Sequence, residues 1–546
     1  MRLRESSLGP LVCLFAAFAL APTLRSQNAA AQSANRPERV EWFRDQGFGM
    51  FIHWSVDGQL GGVISHSMAG ASDDYLNRFI TLLPKTFYPA RFDARSWARL
   101  AKIAGVKYVM FTTKHHSGFA MFDTRTTDFG AMNTPFHRDI TAEVVNAFRE
   151  QGIAIGLYFS CDDFSWLYRH GKPIDREDHS QPINNPELLK FAQAQLQELL
   201  TQYGDVDLMF FDGKPQGLVD YVWARRPDVL VTSGALHVTE QNVPGFAMKD
   251  PFEAAVTLGT EWPYRPNDTY KSGLAMVNLL IETRAKGGNL LLNMGPKPDG
   301  DIPIEQDDRF RQIGYWLFIN GESIYGVRPW VITNEGDYWF TRKANEDTVY
   351  VFVRSPWPYA KWRDVRLVSI RTTAESKVSV LGQSGQILEY QARVRPETTW
   401  KQEADGLHIR AMRAQRTFTN NQDPNPVVLK ITRAAAALNP ADLPQVITGR
   451  ARWDPATASA TLEANLQSMG KSGELDVWFE YRNIKGLDTN ERTDPWITLP
   501  VIRRTGAGVF TSTVKTWKPG DQFEFRAAVK APLLNMYGQE RRFNVP

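Results

Sequence analysis

Residues 107–119 read KYVMFTTKHHSGF, an apolar run from Tyr108 to Phe111 that ends in a polar tip carrying His115 and His116. The same design recurs along the chain, as GFGMFIHW at 47–54, IGLYFS at 155–160 and LMFFDG at 208–213. Strands are expected at Gly47–Trp54, Tyr108–His115, Ala154–Ser160, Leu208–Gly213, Val229–Ala235, Phe252–Gly259 and Asn289–Pro296. Amphipathic helical patterns fall between them at Arg95–Ala104, Asp139–Gln151, Pro186–Tyr203, Ser272–Lys286 and Ile304–Asn320. Near-continuous apolar strands separated by helices indicate a parallel sheet covered on both faces. That many units between residues 38 and 335 favour an α/β fold closed as a (β/α)8-like TIM barrel.

Outward from this region the character changes. After Tyr325 the pattern alternates, as in DTVYVFVRS and DVRLVSIRT, with Gly and Asn turns and no helical period, so residues 336–435 are expected to form a β-sandwich. Ala434–Ala437 and Pro440–Pro444 look like a linker. Residues 440–546 then give ELDVWFEYRN, VFTSTVKT and QFEFRAAVKA, the pattern of a separate immunoglobulin-like or fibronectin-III-like module. Because it contributes no motif residue, that module is expected to be dispensable for chemistry on a small substrate.

Residues 1–31 read as a cleaved signal peptide: Arg2 and Arg4, a short apolar run from Leu8 to Leu20, and small residues at Ala29–Ala31. The apolar run is too short to span a bilayer, so a secreted or periplasmic protein with no membrane span is expected. Only Cys161 survives cleavage, which excludes an intrachain disulfide and leaves core size to supply stability. The 63 Lys and Arg nearly balance the 60 Asp and Glu, a net of +3, so there is no electrostatic footprint for nucleic acid.

In a βα barrel the C-terminal ends of the strands converge on the active site. His53, His115, His116, Tyr158, Asp212, Glu253 and Glu261 all fall near such ends in this reading. Singly, each has an ordinary explanation: a hydrogen-bonded structural His, or an Asp-Gly turn. Jointly they would converge on one pocket, where burial without a ligand has no packing rationale. A catalytic metal is disfavoured, because no HExxH or second His pair supplies a ligand set, and Pro298 and Pro303 spoil the calcium-loop look of PDGDIPIEQDD. There is no phosphate-binding Gly loop and no GxSxG nucleophile elbow. A pair of carboxylates needs no cofactor: one ionised carboxylate attacks an anomeric carbon while one protonated acid discharges the leaving oxygen.

GFGMFIHW, KYVMFTTKHHSGF, IGLYFS, FFDG, GGNLLLNMGPKPDGDIP and GYWLFINGESIYG together resemble glycoside hydrolase family 29, the α-L-fucosidases, over roughly residues 38–430. The resemblance implies a retaining exo-acting α-L-fucosidase, with a fucosylated oligosaccharide or polysaccharide as its partner. It implies Asp212 as nucleophile and His53, His115, His116 and Tyr158 as sugar ligands. It also implies Glu253 as acid/base, because a Glu about forty residues beyond the nucleophile serves in several members; Glu261 is the runner-up. Trp54, Phe210 and Trp262 complete the expected substrate site. The sequence departs from the family where Phe210 and Phe252 replace Trp, and where VISHSMAGASDDY replaces an E-W-Y segment. His66, Asp73 and Asp74 in that segment are candidate substitute contacts. The departures leave room for the same mechanism on an α-L-galactosyl, other galactose-type or sulfated sugar. An inactive sugar-binding barrel is a further alternative, which absence of both Glu253 and Glu261 from the pocket would favour.

Overall fold

The computed structural model describes residues 35–61, 65–417, 424–483, 496–531 and 535–546. The expected signal peptide therefore lies outside the described residues. Eight parallel strands form one curled sheet: β1 (Phe48–Ile52), β2 (Tyr108–Lys114), β3 (Ala154–Ser160), β4 (Leu208–Asp212), β5 (Leu230–Val231), β6 (His237–Glu240), β7 (Phe252–Thr257) and β8 (Asn289–Met294). The order is β5-β4-β3-β2-β1-β8-β7-β6, so β1 pairs with both β2 and β8, and the two edges are β5 and β6. A tight turn joins those edges, with the Leu236 N–H donating to the Thr232 carbonyl at 2.7 Å. Helices cover the outside, as expected for the (β/α)8 class.

Local chemistry explains where the helices start. Asp93, Asp139, Asn185 and Ser272 each accept a hydrogen bond from a first-turn N–H, as N-caps do. Pro186 occupies the first turn after Asn185, where its missing N–H costs nothing. Inside the barrel, Phe51, Tyr108, Met110, Leu208, Leu230 and Leu291 pack with Tyr158 and Phe210. Gly49 is needed there, because a Cβ would fall 2.4 Å from the Tyr108 ring.

Two expectations about strands change. The expected strand at Val229–Ala235 is only Leu230–Val231, and a separate strand, His237–Glu240, follows at once. The antiparallel layer begins at Val327, nine residues before the expected boundary at 336, because Val327–Glu335 pairs with Tyr338–Lys343. That layer is a five-stranded sheet beside a three-stranded one, with a shared core containing Phe340, Val351, Leu407 and Leu429. Residues 445–483, 496–531 and 535–546 form a third β layer around Leu462, Phe479, Phe525 and Trp517. Its separateness is limited: the Gly245 N–H, in the barrel loop after β6, donates to Glu540 Oε1 at 2.7 Å.

Arg284 staples the barrel floor to the first β layer. It is 2% exposed and donates to the carbonyls of Arg44, Gly288, Ile324 and Val327 and to the Asn289 side chain. Burial lowers its pKa only to about 10, so it keeps its charge at neutral pH. Replacing it by Met strands several buried carbonyls, which should destabilise the fold by about 3 kcal/mol. Thermal denaturation should show a midpoint several degrees lower; an unshifted midpoint would contradict the staple.

Candidate active site

The strand ends bring His53, His115, His116, Tyr158, Phe210, Asp212 and Trp262 around one pocket of about 140 Å3, together with Phe51, His66, Arg176, Glu240 and Ala255. His115 and His116 both reach it because β2 stops at Lys114, so strand alternation no longer sends neighbours to opposite faces. Tyr158 is held flat between its neighbours, its ring stacked 5.5 Å from His115 on one side and 5.5 Å from Phe210 on the other.

Asp212, the last residue of β4, is the chemical centre. Its Oδ2 accepts the Tyr158 hydroxyl at 2.6 Å and lies 3.3 Å from His116 Nε2. Burial alone would raise its pKa, but the His116 imidazole, then His115 and the Tyr158 hydrogen bond, override that and hold the carboxyl well below the usual range. Both contacts fall on Oδ2, which leaves Oδ1 as the oxygen available to a bound sugar. His116 is in turn oriented through Nδ1 by Ser160 Oγ at 2.5 Å. Asp162, 3.5 Å from the same nitrogen, also accepts from Arg176 at 3.0 Å and Gln181 at 2.8 Å. Neither Arg176 nor this Asp162 hub was anticipated from the sequence.

The other imidazoles are set up as neutral hydrogen-bonding groups. Burial pushes His53 down to about 4, against the opposing pull of Asn293 and Asp212. Asn293 Nδ2 donates to the Trp262 carbonyl at 2.6 Å, so its Oδ1 faces His53 Nδ1 at 2.7 Å and receives that proton. The His53 Nε2 is then an acceptor for a sugar hydroxyl. His115 is likewise pushed down by burial, and its Nδ1 is 2.8 Å from Ser65 Oγ. His66 enters the pocket beside His116, with ring centroids 5.3 Å apart. Asp73 and Asp74, its companions in the replacement segment, instead open a helix on its solvent-facing side, where Asp74 pairs with Arg78. His115, His116 and Asp212 each offer a ligand atom within 4.8 Å of the others, so they are also the residues that could hold a cation.

The structure does not bring every expected residue to the pocket. Trp54 is core: it packs against Phe87, Phe92 and Trp97 and donates its indole N–H to the Lys297 carbonyl at 3.1 Å. As the residue after His53, it takes the opposite face. Glu253 is fully buried and does not line the pocket. It is the second residue of β7 and accepts from Tyr108, the first residue of β2, at 2.7 Å, which places it toward the entry end of the strands. Burial pushes its carboxyl up to about 7, but no sugar can reach it there. Glu261, in the loop after β7, does not line the pocket either, although its neighbour Trp262 does. The carboxylate that does join Asp212 is Glu240, at the C-terminal end of β6. A four-residue polar strand gave no apolar run to mark it; the usable signal was the Val238-Thr239 pair in a gap where an eighth strand had to lie.

A pocket for one sugar ring at the C-terminal rim of a (β/α)8 barrel, holding an ionised carboxylate, a second carboxylate, imidazoles and aromatic faces, defines a glycoside hydrolase. A family profile described as Alpha-L-fucosidase matches residues 14–322. The plasma α-L-fucosidase of Rattus norvegicus is 28% identical over 66% of this chain and 86% of its own, and the tissue α-L-fucosidase of Mus musculus is 28% identical over 68% and 89%. Among solved structures, α-L-fucosidase isoenzyme 1 of Paenibacillus thiaminolyticus is 26% identical with a TM-score of 0.58, covering 72% of this chain and 98% of that one. The chain belongs to the α-L-fucosidase family.

The buried imidazoles make stability depend on pH. His53 stays neutral in the fold down to about 4, whereas in the unfolded chain it gains a proton below its ordinary value of 6.5. Between pH 6.5 and 4 the unfolded state therefore binds more protons, and stability is lost as the pH is lowered through that window. The thermal midpoint should drop over it in the native protein and drop less in His53→Gln; identical slopes would contradict the assignment.

Proposed function

We propose that this protein is an exported, exo-acting α-L-fucosidase that works by double displacement with retention. The observation that carries the proposal is the Asp212 carboxylate, kept ionised in a one-sugar pocket by His116 and Tyr158. Asp212 attacks the anomeric carbon while Glu240 protonates the departing glycosidic oxygen, giving a glycosyl ester on Asp212. Glu240 then takes a proton from water as the water oxygen attacks the anomeric carbon, breaking its bond to Asp212 and releasing the sugar with its original configuration. Phe51, Phe210, Trp262 and Ala255 supply apolar wall for the methyl group and ring face of a 6-deoxy sugar. Export is supported by the leader pattern at residues 1–31; no helix among the described residues is long and apolar enough to cross a membrane.

Neither Glu253 nor Glu261 lines the pocket, which taken alone would favour a sugar-binding protein, but Glu240 restores the second carboxylate that hydrolysis needs. A second substrate reading is kept by Arg176, whose guanidinium enters the pocket and suits a sulfated or galactose-type sugar. A panel of aryl glycosides decides between them: fucosides should be cleaved fastest, and a preference for L-galactosides or sulfated sugars would overturn the fucose assignment.

Asp212→Gly should lower kcat by at least ~10^4-fold with the fold intact, as loss of a covalent nucleophile does. Added azide should restore part of the rate on aryl fucosides. Glu240→Ala should slow substrates with poor leaving groups far more than nitrophenyl fucosides, which depart without protonation. Glu253→Gln should instead act on the thermal midpoint. A leaving-group effect in Glu253→Gln and none in Glu240→Ala would reverse the assignment.

A further inference from the structure

A second cavity, of about 480 Å3, opens beside the catalytic pocket and lies between the barrel and the C-terminal β layer. One wall is the barrel segment 237–248; the other comes from Glu524, Gln539, Glu540 and Arg542. Glu240 lines both cavities, so the groove starts where the proposed acid stands. Its volume falls in the range of ligand clefts, about 300–1,000 Å3.

The two walls are fixed to each other. Glu540 Oε1 accepts from the Gly245 N–H at 2.7 Å and from Arg526 Nη1 at 3.2 Å. Arg526 also donates to Glu480 Oε2 at 3.0 and 2.8 Å, with the Tyr537 ring 3.9 Å and the Trp496 ring 4.1 Å from its guanidinium. The side chains of Arg526, Glu480 and Glu540 are only 8–16% exposed, so solvent screens this network little. The groove is lined by planar polar groups, Gln241, Asn242, Gln539 and Arg542, with Phe246 as an aromatic face. Besides Glu240, the carboxylates of the lining are compensated, Glu524 by Arg482 and Glu540 by Arg526, which with Arg542 on the wall suits a neutral hydroxyl-rich ligand better than an anion or a cation.

We propose that this groove is the leaving-group subsite. It holds the neutral saccharide to which the terminal sugar is attached, and the C-terminal layer thereby helps to select the substrate. The proposal rests on Glu240 as the acid: that group must touch the glycosidic oxygen, so the leaving sugar departs past it, and the groove that begins at Glu240 receives it. The wall residues 524–542 lie beyond residue 322, where the family match ends. The layer is then no detachable module, contrary to the expectation from its linker and missing motifs.

Gln539 and Arg542 are exposed and lie outside the catalytic pocket, so their removal should leave folding intact. The test measures kcat/KM for the full-length wild type and for Gln539→Ala/Arg542→Ala on 4-nitrophenyl α-L-fucoside and on a panel of neutral fucosylated oligosaccharides. The double variant should keep its rate on the aryl fucoside and lose about tenfold on the best oligosaccharide, the effect of two lost hydrogen bonds. Phe246→Ala should show the same split. Equal effects on both substrates, no effect on either, or a wild type that gains nothing from an oligosaccharide leaving group would overturn the groove while leaving the hydrolase standing. A wild type inert on every fucoside would bring down the fucosidase reading and the groove with it.

Discussion

A charged carboxylate at the half-buried end of an apolar strand is costly unless its surroundings stabilise the charge. At Asp212 the Tyr158 hydroxyl and the His116 imidazole do so, and much of the rim exists to aim those two groups. Tyr158 is wedged between His115 and Phe210; His116 is turned by Ser160 and backed by Asp162. Asp162 in turn ties in Arg176 and Gln181 from the loop after β3. The electrostatics of one oxygen thus organises three strand ends and a loop.

The barrel makes this possible by separating two tasks. Its entry end is filled with packing and with groups that no ligand reaches, such as Glu253 and Tyr108. Its exit end carries imidazoles kept neutral by burial and suited to hydrogen bonding with sugar hydroxyls. Identical residue types acquire different roles from depth alone: Glu253 and Glu240 sit on adjacent strands, one sealed in the core and one at the rim.

Much of this was legible in the sequence where burial leaves a strong pattern. Strands covered on both faces read as apolar runs, and those leading to His53, His115, His116 and Asp212 match the observed ends to within two residues. Legibility failed where the pattern is weak or where distance along the chain stood in for position in space. The strand His237–Glu240 is short and half exposed, so it left no run to notice, and its carboxylate went unseen. Glu253 had the expected separation from Asp212, but separation cannot say which end of a strand a residue occupies. Trp54 follows His53 in sequence, yet just past the end of β1 its indole turns into the core against Phe87, Phe92 and Trp97, which adjacency along the chain does not reveal. The contact between the β6–β7 loop and Glu540 joins residues nearly three hundred positions apart, and no local motif announces it.

In the proposed mechanism Asp212 itself forms the bond to the sugar. Incubation with a 2-deoxy-2-fluoro-fucosyl fluoride, which forms the glycosyl ester faster than water removes it, followed by proteolysis and mass spectrometry, tests this directly. One fluorofucosyl adduct per chain is expected on the peptide containing Phe210–Gly213, with the ester on Asp212 and rapid loss of activity. An adduct on Glu240 or on any other residue, or full turnover of the reagent with no adduct at all, would contradict it.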